Sequence, residues 1–148
     1  MEHTIRQTTQ ADLPAILELI HEFHDETLNA FGVVCIDSVA NELMPKMVDT
    51  SLILVNEDKI VGVIAGLVTS HVVSKEPLMQ EIIWYVSKKH RRQGINLYRA
   101  FEHMSLKRGM KHIVMVNMGN FKNDVFKKFY ESEGFDLLET QYIKKLEE

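Results

Sequence analysis

The stretch Trp84-Tyr85-Val86-Ser87-Lys88-Lys89-His90-Arg91-Arg92-Gln93-Gly94-Ile95-Asn96 runs from an apolar, β-prone segment through a basic turn into a helical pattern. Main-chain N–H groups at a helix start have no intrahelical partner, and the helix dipole adds positive potential there, so such a turn suits a pyrophosphate. Gly94 lets a ligand approach the backbone closely. Lys88, Lys89, His90, Arg91 and Arg92 add charge for a polyanion. The competing reading is a solvated turn, the usual fate of a charge run; the strand-to-helix position favours the anion site. Neither a Walker A loop nor a G-x-G-x-x-G fingerprint is present, which argues against nucleotide hydrolysis and nicotinamide binding.

Working outward, Gly94 to Arg108 predicts a helix on an apolar stripe through Ile95, Tyr98, Phe101 and Leu106, with Gly109 at its C-cap. His112 to Met118 follows as a strand, Asp124 to Ser132 as a helix and Phe135 to Lys144 as a last extended segment. Upstream, Leu78 to Val86 is a strand. Ser51 to Val55 and Ile60 to Thr69 form a hairpin over Asn56-Glu57-Asp58-Lys59. Thr4 to Thr8 starts the chain in extended form. Leu13, Ile16, Leu17, Ile20 and Phe23 mark a first helix, and Val39, Leu43 and Met47 a second over Asp37 to Val48.

At 148 residues, with 45% hydrophobic and 26% charged residues and no linker or repeat, the chain reads as one globular domain over 1–148. A net charge of -4 gives no global attraction to nucleic acid or an anionic membrane. No apolar run reaches the ~20 residues of a membrane span and no signal-peptide pattern opens the chain. Cys35 is the lone cysteine, which suits a reducing compartment; a cytoplasmic setting is expected.

The basic turn resembles the cofactor loop of the GCN5-related N-acetyltransferases, which reads Arg or Gln, two residues, Gly, one residue, then Gly or Ala. Arg91 and Gly94 match it, and Asn96 stands where the family has a small residue. A second similarity lies at Asn123-Asp124-Val125-Phe126-Lys127-Lys128-Phe129-Tyr130-Glu131-Ser132-Glu133-Gly134-Phe135. There Asn123, Tyr130, Gly134 and Phe135 fall in register with the family's Asn-to-Tyr helix, and Phe126 replaces a small residue. The opening Ile5-Arg6, Asp12 and amphipathic helix are similar too.

The resemblance implies an α/β (α+β) fold: a mixed, mostly antiparallel sheet flanked by helices, with a splayed strand pair forming an acyl-CoA cleft. It implies acetyl transfer from acetyl-CoA to a primary amine by direct attack. Tyr85, Val86, Arg91, Arg92, Gln93, Gly94, Ile95, Asn96 and Asn123 would hold the cofactor, Tyr130 would act as general acid and Glu81 as general base. Each has a plainer alternative: Tyr130 as a packed helix residue, Glu81 turned to the other face by a one-residue slip, Asn123 as a helix cap. His21, Glu22, His24, Asp25 and Glu26 form a polar cluster, read as a solvated helix face or as recognition of a cationic acceptor. They lack the zinc spacing, so no metal is expected. The acceptor is a small-molecule or protein amine, and a homodimer is plausible from the resemblance. The main rival reading is a non-catalytic acyl-CoA sensor or interaction module on the same fold; a second keeps the enzyme with another acyl-CoA, succinyl or longer, as donor.

Overall fold

The computed structural model describes residues 2–146. Its frame among the described residues is a five-stranded sheet in the order β1 (His3–Gln7), β2 (Ser51–Asn56), β3 (Lys59–Ser70), β4 (Pro77–Val86) and β5 (Ile113–Val114). The first four pair antiparallel, and β5 joins β4 in parallel. The β2–β3 turn places Glu57 and Asp58 at φ of 49° and 65°, the left-handed pair that a two-residue type I′ hairpin requires.

Both faces of β2 and β3 are covered, which is why Leu52-Ile53-Leu54 and Val61 to Ala65 are apolar without alternation. On one face Ile16 and Leu19 of α1 (Leu13–Glu26), with Met44 and Met47, pack on Ile53, Val63, Ala65 and Ile83. On the other, Leu97, Tyr98 and Phe101 of α3 (Gly94–Lys107) pack on Leu54, Ile64, Met79 and Val86. Arg6 fixes the entry to α1 by a two-pronged bond to Asp12 at 2.8 and 3.0 Å. That bond holds the Asp12 carboxyl down at about 2.

The register of β4 is decided by a bulge. Ala65 faces Ile83 and Gly66 faces Glu81, which leaves Ile82 as the extra residue. A bulge bends its strand and sharpens the twist. β4 pairs with β5 only at Met79↔Ile113 and Gln80↔Val114, directly before the bulge, and the two chains part beyond it. The close approach depends on Gly66, where a Cβ would lie 2.7 Å from the Gln80 carbonyl oxygen and 2.9 Å from the Phe101 ring.

Four expectations are corrected. The second helix, α2 (Asp37–Leu43), ends before Pro45 and continues as a 3₁₀ segment, Met44–Thr50; Met44 and Met47 are buried there while Val39 is exposed. The buried stripe of α3 runs through Leu97, Tyr98 and Phe101, with Ile95 and Leu106 on the outer face. The strand predicted over His112 to Met118 is only two residues long, because the bulge turns β4 away from it. Phe135 to Lys144 is irregular: with so short a β5, the sheet edge offers it little ladder to join, and Leu137, Leu138 and Tyr142 stay exposed. No helix among the described residues is long and apolar enough to cross a membrane.

Candidate active site

The parting of β4 from β5 places Glu81 and Tyr130 on either side of one residue. Glu81, on β4, is buried, and its carboxylate accepts the Val116 N–H at 3.3 Å. Tyr130, on α4 (Asn123–Ser132), donates its hydroxyl to the Val116 carbonyl at 2.9 Å. Burial raises the Glu81 carboxyl to about 8, opposed only in part by the Val116 N–H. Burial first, and then the nearby Glu81 charge, lift the Tyr130 phenol far above its ordinary range, so it keeps its proton.

Glu81 opens on a recess in the gap. Its walls are Phe23 of α1, Ile82 and Trp84 of β4, Val116 and Met118 after β5, Phe121, and Phe126 of α4. Glu81 is the one ionisable side chain in this lining. Trp84 and Phe126 meet edge to face with centroids 5.2 Å apart, and Phe126 lies nearly parallel to Tyr130. Phe126 therefore packs in the gap itself, one helical turn from Asn123 and one from Tyr130.

The basic segment Lys88–Gln93 forms a 3₁₀ turn leading into α3. Two of its main-chain donors are engaged inside the turn, His90 N–H with Ser87 O and Gly94 N–H with Arg91 O. Arg91 folds inward rather than outward: Nε donates to Val86 O at 3.1 Å, a terminal nitrogen pairs with Glu26 at 2.6 Å, and the guanidinium rests on the Tyr85 and Phe121 rings. Lys88, Lys89 and Arg92 remain exposed around the turn. Gln93 and Asn96 bond to each other at 2.9 Å on the outer side of the α3 start, where Ile95 is also exposed. Gly94 is buried, and a Cβ there would meet Val86 and Trp84 at ordinary contact distances of 3.7 and 3.8 Å. Val86 stays laddered to Gly62, and the Tyr85 ring sits in the α1-side core.

The polar cluster on α1 is not a free face. Glu22 accepts the Ser87 hydroxyl, Glu26 takes Arg91 and, at 3.8 Å, Lys88, and His24 bonds Val33 O. Glu22 and Glu26 anchor the basic turn to α1, a role their sequence positions do not signal, since the partners lie 65 residues apart. His21 pairs with Asp37 at 2.9 Å, and with Cys35 their donor atoms lie within 4.8 Å of one another. Asn123 does not cap α4: Lys122 takes the cap position with φ 48°, and the Asn123 side chain is exposed. Asn117, which sequence reasoning missed, donates to Asn123 O at 3.2 Å and keeps its side-chain oxygen buried without a partner among the described residues.

A family model of acetyltransferases, the GNAT family, matches residues 16–135. The chain belongs to the GNAT acetyltransferase family. It is an acyl-CoA-dependent N-acetyltransferase, with acetyl-CoA as donor. A search of the curated proteins gives no significant match. Among solved structures, the GNAT chain is similar to an aminoglycoside acetyltransferase from an uncultured soil metagenomic sample, at 22% identity and a TM-score of 0.72 over 98% of this chain and 97% of that one. It is similar to a ribosomal-protein-alanine N-acetyltransferase from Brucella melitensis, at 16% identity and a TM-score of 0.74 over 99% and 100% of the two chains. A third is an aminoglycoside N-acetyltransferase bound to a CoA bisubstrate analogue, at 13% identity and a TM-score of 0.73 over 99% of each chain. At these identities the likeness is one of fold. Two features of this GNAT chain suit an acyl-CoA: exposed cations around the basic turn for its phosphates, and the partnerless Asn117 oxygen, an acceptor for an amide N–H.

Proposed function

We propose that Glu81 and Tyr130 are the proton-handling pair for transfer of an acetyl group to a primary amine. The observation that carries the assignment is their shared attachment to Val116, one through its N–H and the other through its carbonyl, beside the gap between β4 and β5. An amine arrives protonated and has no lone pair to attack with. A carboxylate raised to about 8 is a far better match to an ammonium group than one at 4.5, so the Glu81 carboxylate takes the proton. The freed nitrogen attacks the thioester carbonyl carbon, the C–N bond forms, and the C–S bond breaks. The sulfur leaves with the electron pair and is met by the Tyr130 hydroxyl, turned from Val116 O. The thiol carries away the Tyr130 proton, the proton shed by the acylated nitrogen restores that hydroxyl, and Glu81 releases the first proton to water.

Lys88, Lys89 and Arg92 hold the phosphates, and Gly94 with Gln93, Ile95 and Asn96 forms the platform they lie on. Arg91 belongs to the cofactor site indirectly, by tying the turn to Val86 and Glu26. Asn117 and Asn123 take the amide-rich arm, and the main chain at Tyr85 and Val86 borders its path. The acceptor is a small-molecule or protein amine that reaches Glu81 through the recess.

Calorimetric titration with acetyl-CoA, followed by thiol release in the presence of amines, tests this reading. Saturable binding lost in Gly94→Glu, with the circular dichroism unchanged, is expected. The structure accommodates a Cβ at this position, and the unchanged circular dichroism is what separates loss of the anion site from loss of the fold. Undiminished binding in that variant would remove the basic turn from cofactor recognition.

A further inference from the structure

We infer that the acceptor is a compact primary amine with an apolar or aromatic body, such as an arylalkylamine, and not a polycation. The inference rests on the N-acetyltransfer reading and specifies its second substrate.

A polyamine or aminoglycoside is recognised by several acidic groups, each meeting one ammonium. No acidic side chain other than Glu81 lines the recess. Glu26 is neutralised by Arg91 at 2.6 Å and approached by Lys88, Glu22 accepts from Ser87, and Asp37 is taken by His21. Asp25 is 78% exposed and does not line the recess. The Phe121 ring that forms one wall is already taken on one side by the Arg91 guanidinium, 5.1 Å from its centroid, whose charge is matched by Glu26.

The recess offers one ionisable group, Glu81, in a lining that is mostly apolar. Phe23, Trp84, Phe121 and Phe126 supply aromatic surface, and Ile82 adds an exposed aliphatic edge. The recess is small, about 40 Å³. The amine and its first carbons therefore enter, and the body of the acceptor rests on the aromatic rim. One ammonium suits one carboxylate, and an apolar body suits the rim without leaving polar groups unpaired.

The test uses the whole chain with acetyl-CoA at pH 8 and compares 2-phenylethylamine and tryptamine with spermidine, kanamycin and a lysine peptide by thiol release. The expected result is a kcat/KM for an arylalkylamine about tenfold or more above every polycation. A fall of about tenfold in Phe121→Ala, with acetyl-CoA affinity retained, is expected alongside it. Trp84 is the single tryptophan and stands in the recess wall, so its fluorescence gives a readout independent of turnover. Saturable quenching by 2-phenylethylamine in the presence of CoA, and none by spermidine, supports the assignment. Acetylation of spermidine, kanamycin or the peptide in preference to the arylalkylamines overturns it and leaves N-acetyltransfer standing. Failure to bind acetyl-CoA, or to transfer to any amine, overturns the functional reading and this inference with it.

Discussion

Tyr130 and Glu81 are joined through the main chain of Val116, the phenol bonding its carbonyl at 2.9 Å and the carboxylate its N–H at 3.3 Å. Val116 lies beyond the short β5 ladder, where strand pairing no longer occupies its peptide groups, so two side chains from β4 and α4 take them instead. Tyr130→Phe removes one such bond and should cost about 1 kcal/mol of stability, the usual net worth of a hydrogen bond. The same change should lower kcat about ten- to a hundredfold, with KM for acetyl-CoA little altered, since the phenol meets the sulfur only as it leaves. Steady-state kinetics beside a urea melt separates the two effects, and unchanged turnover would return Tyr130 to a packing role.

The Glu81 carboxyl near 8 makes two pH predictions. As base it works only when ionised, so kcat/KM should climb through about pH 8, and Glu81→Gln should lower the rate and erase that limb. For stability the sign is opposite to that of an ion-paired acid. Between the ordinary 4.5 and about 8 the folded chain holds a proton that the unfolded chain has released, so stability falls with rising pH across that window and levels off above it. The slope is about 1.4 kcal/mol per pH unit at most. Thermal melts of wild type and Glu81→Gln at pH 5, 7 and 9 should show this loss in the wild type alone.

The strands, the four helices and the basic turn were legible because each depends on local pattern: β-branched runs, apolar residues at helical spacing, and the cationic run ahead of Gly94. Glu81 and Tyr130 were legible as candidates through the family resemblance, and the structure brings them together. The bulge at Ile82 was not legible, since it depends on which β3 residue lacks a Cβ, and Gly66 carries no local sign of the Gln80 and Phe101 contacts that require it. The inward turn of Arg91 was equally hidden: its partner Glu26 is 65 residues away, and both look like solvated charges in the sequence. The expected last strand failed for the converse reason, as β-propensity in Gln141-Tyr142-Ile143 does not act without an edge to pair with.

Arg91 and Glu26 should behave as one unit. Both side chains are about four-fifths buried, at 23% and 21% exposure, and their 2.6 Å contact pins the basic turn to α1. Arg91→Ala or Glu26→Ala should each weaken acetyl-CoA binding about tenfold by loosening the turn, and the double variant should be little worse than either single one. Calorimetry on the four proteins yields the coupling directly. Arg91→Lys should not restore affinity, because an ammonium cannot hold Glu26 and the Val86 carbonyl in the geometry of the guanidinium fork. Additive losses would mean that Arg91 meets the phosphates itself.

Gly66→Ala tests the cause of the gap itself. The added Cβ would lie 2.7 Å from a backbone oxygen and 2.9 Å from the sulfur of Met79 and the ring of Phe101, and the backbone contact cannot be relieved by a rotamer change. β3 and β4 must separate at the bulge, with an expected cost of about 1–3 kcal/mol, typical of overpacking. Because the bulge turns β4 away from β5, its relaxation should also shift Glu81 against Val116. The variant should therefore lose activity beyond its loss of folded protein, measured as kcat on the fraction that remains native by urea titration. Gly62→Ala is the control. It sits on the same strand with its nearest contacts at 3.1 Å to Val86 Cγ2 and 3.2 Å to Leu54 Cβ, neither as short as those at Gly66 nor to a backbone oxygen, and lies away from the Ile82 bulge. It should cost stability and leave kcat per folded molecule unchanged.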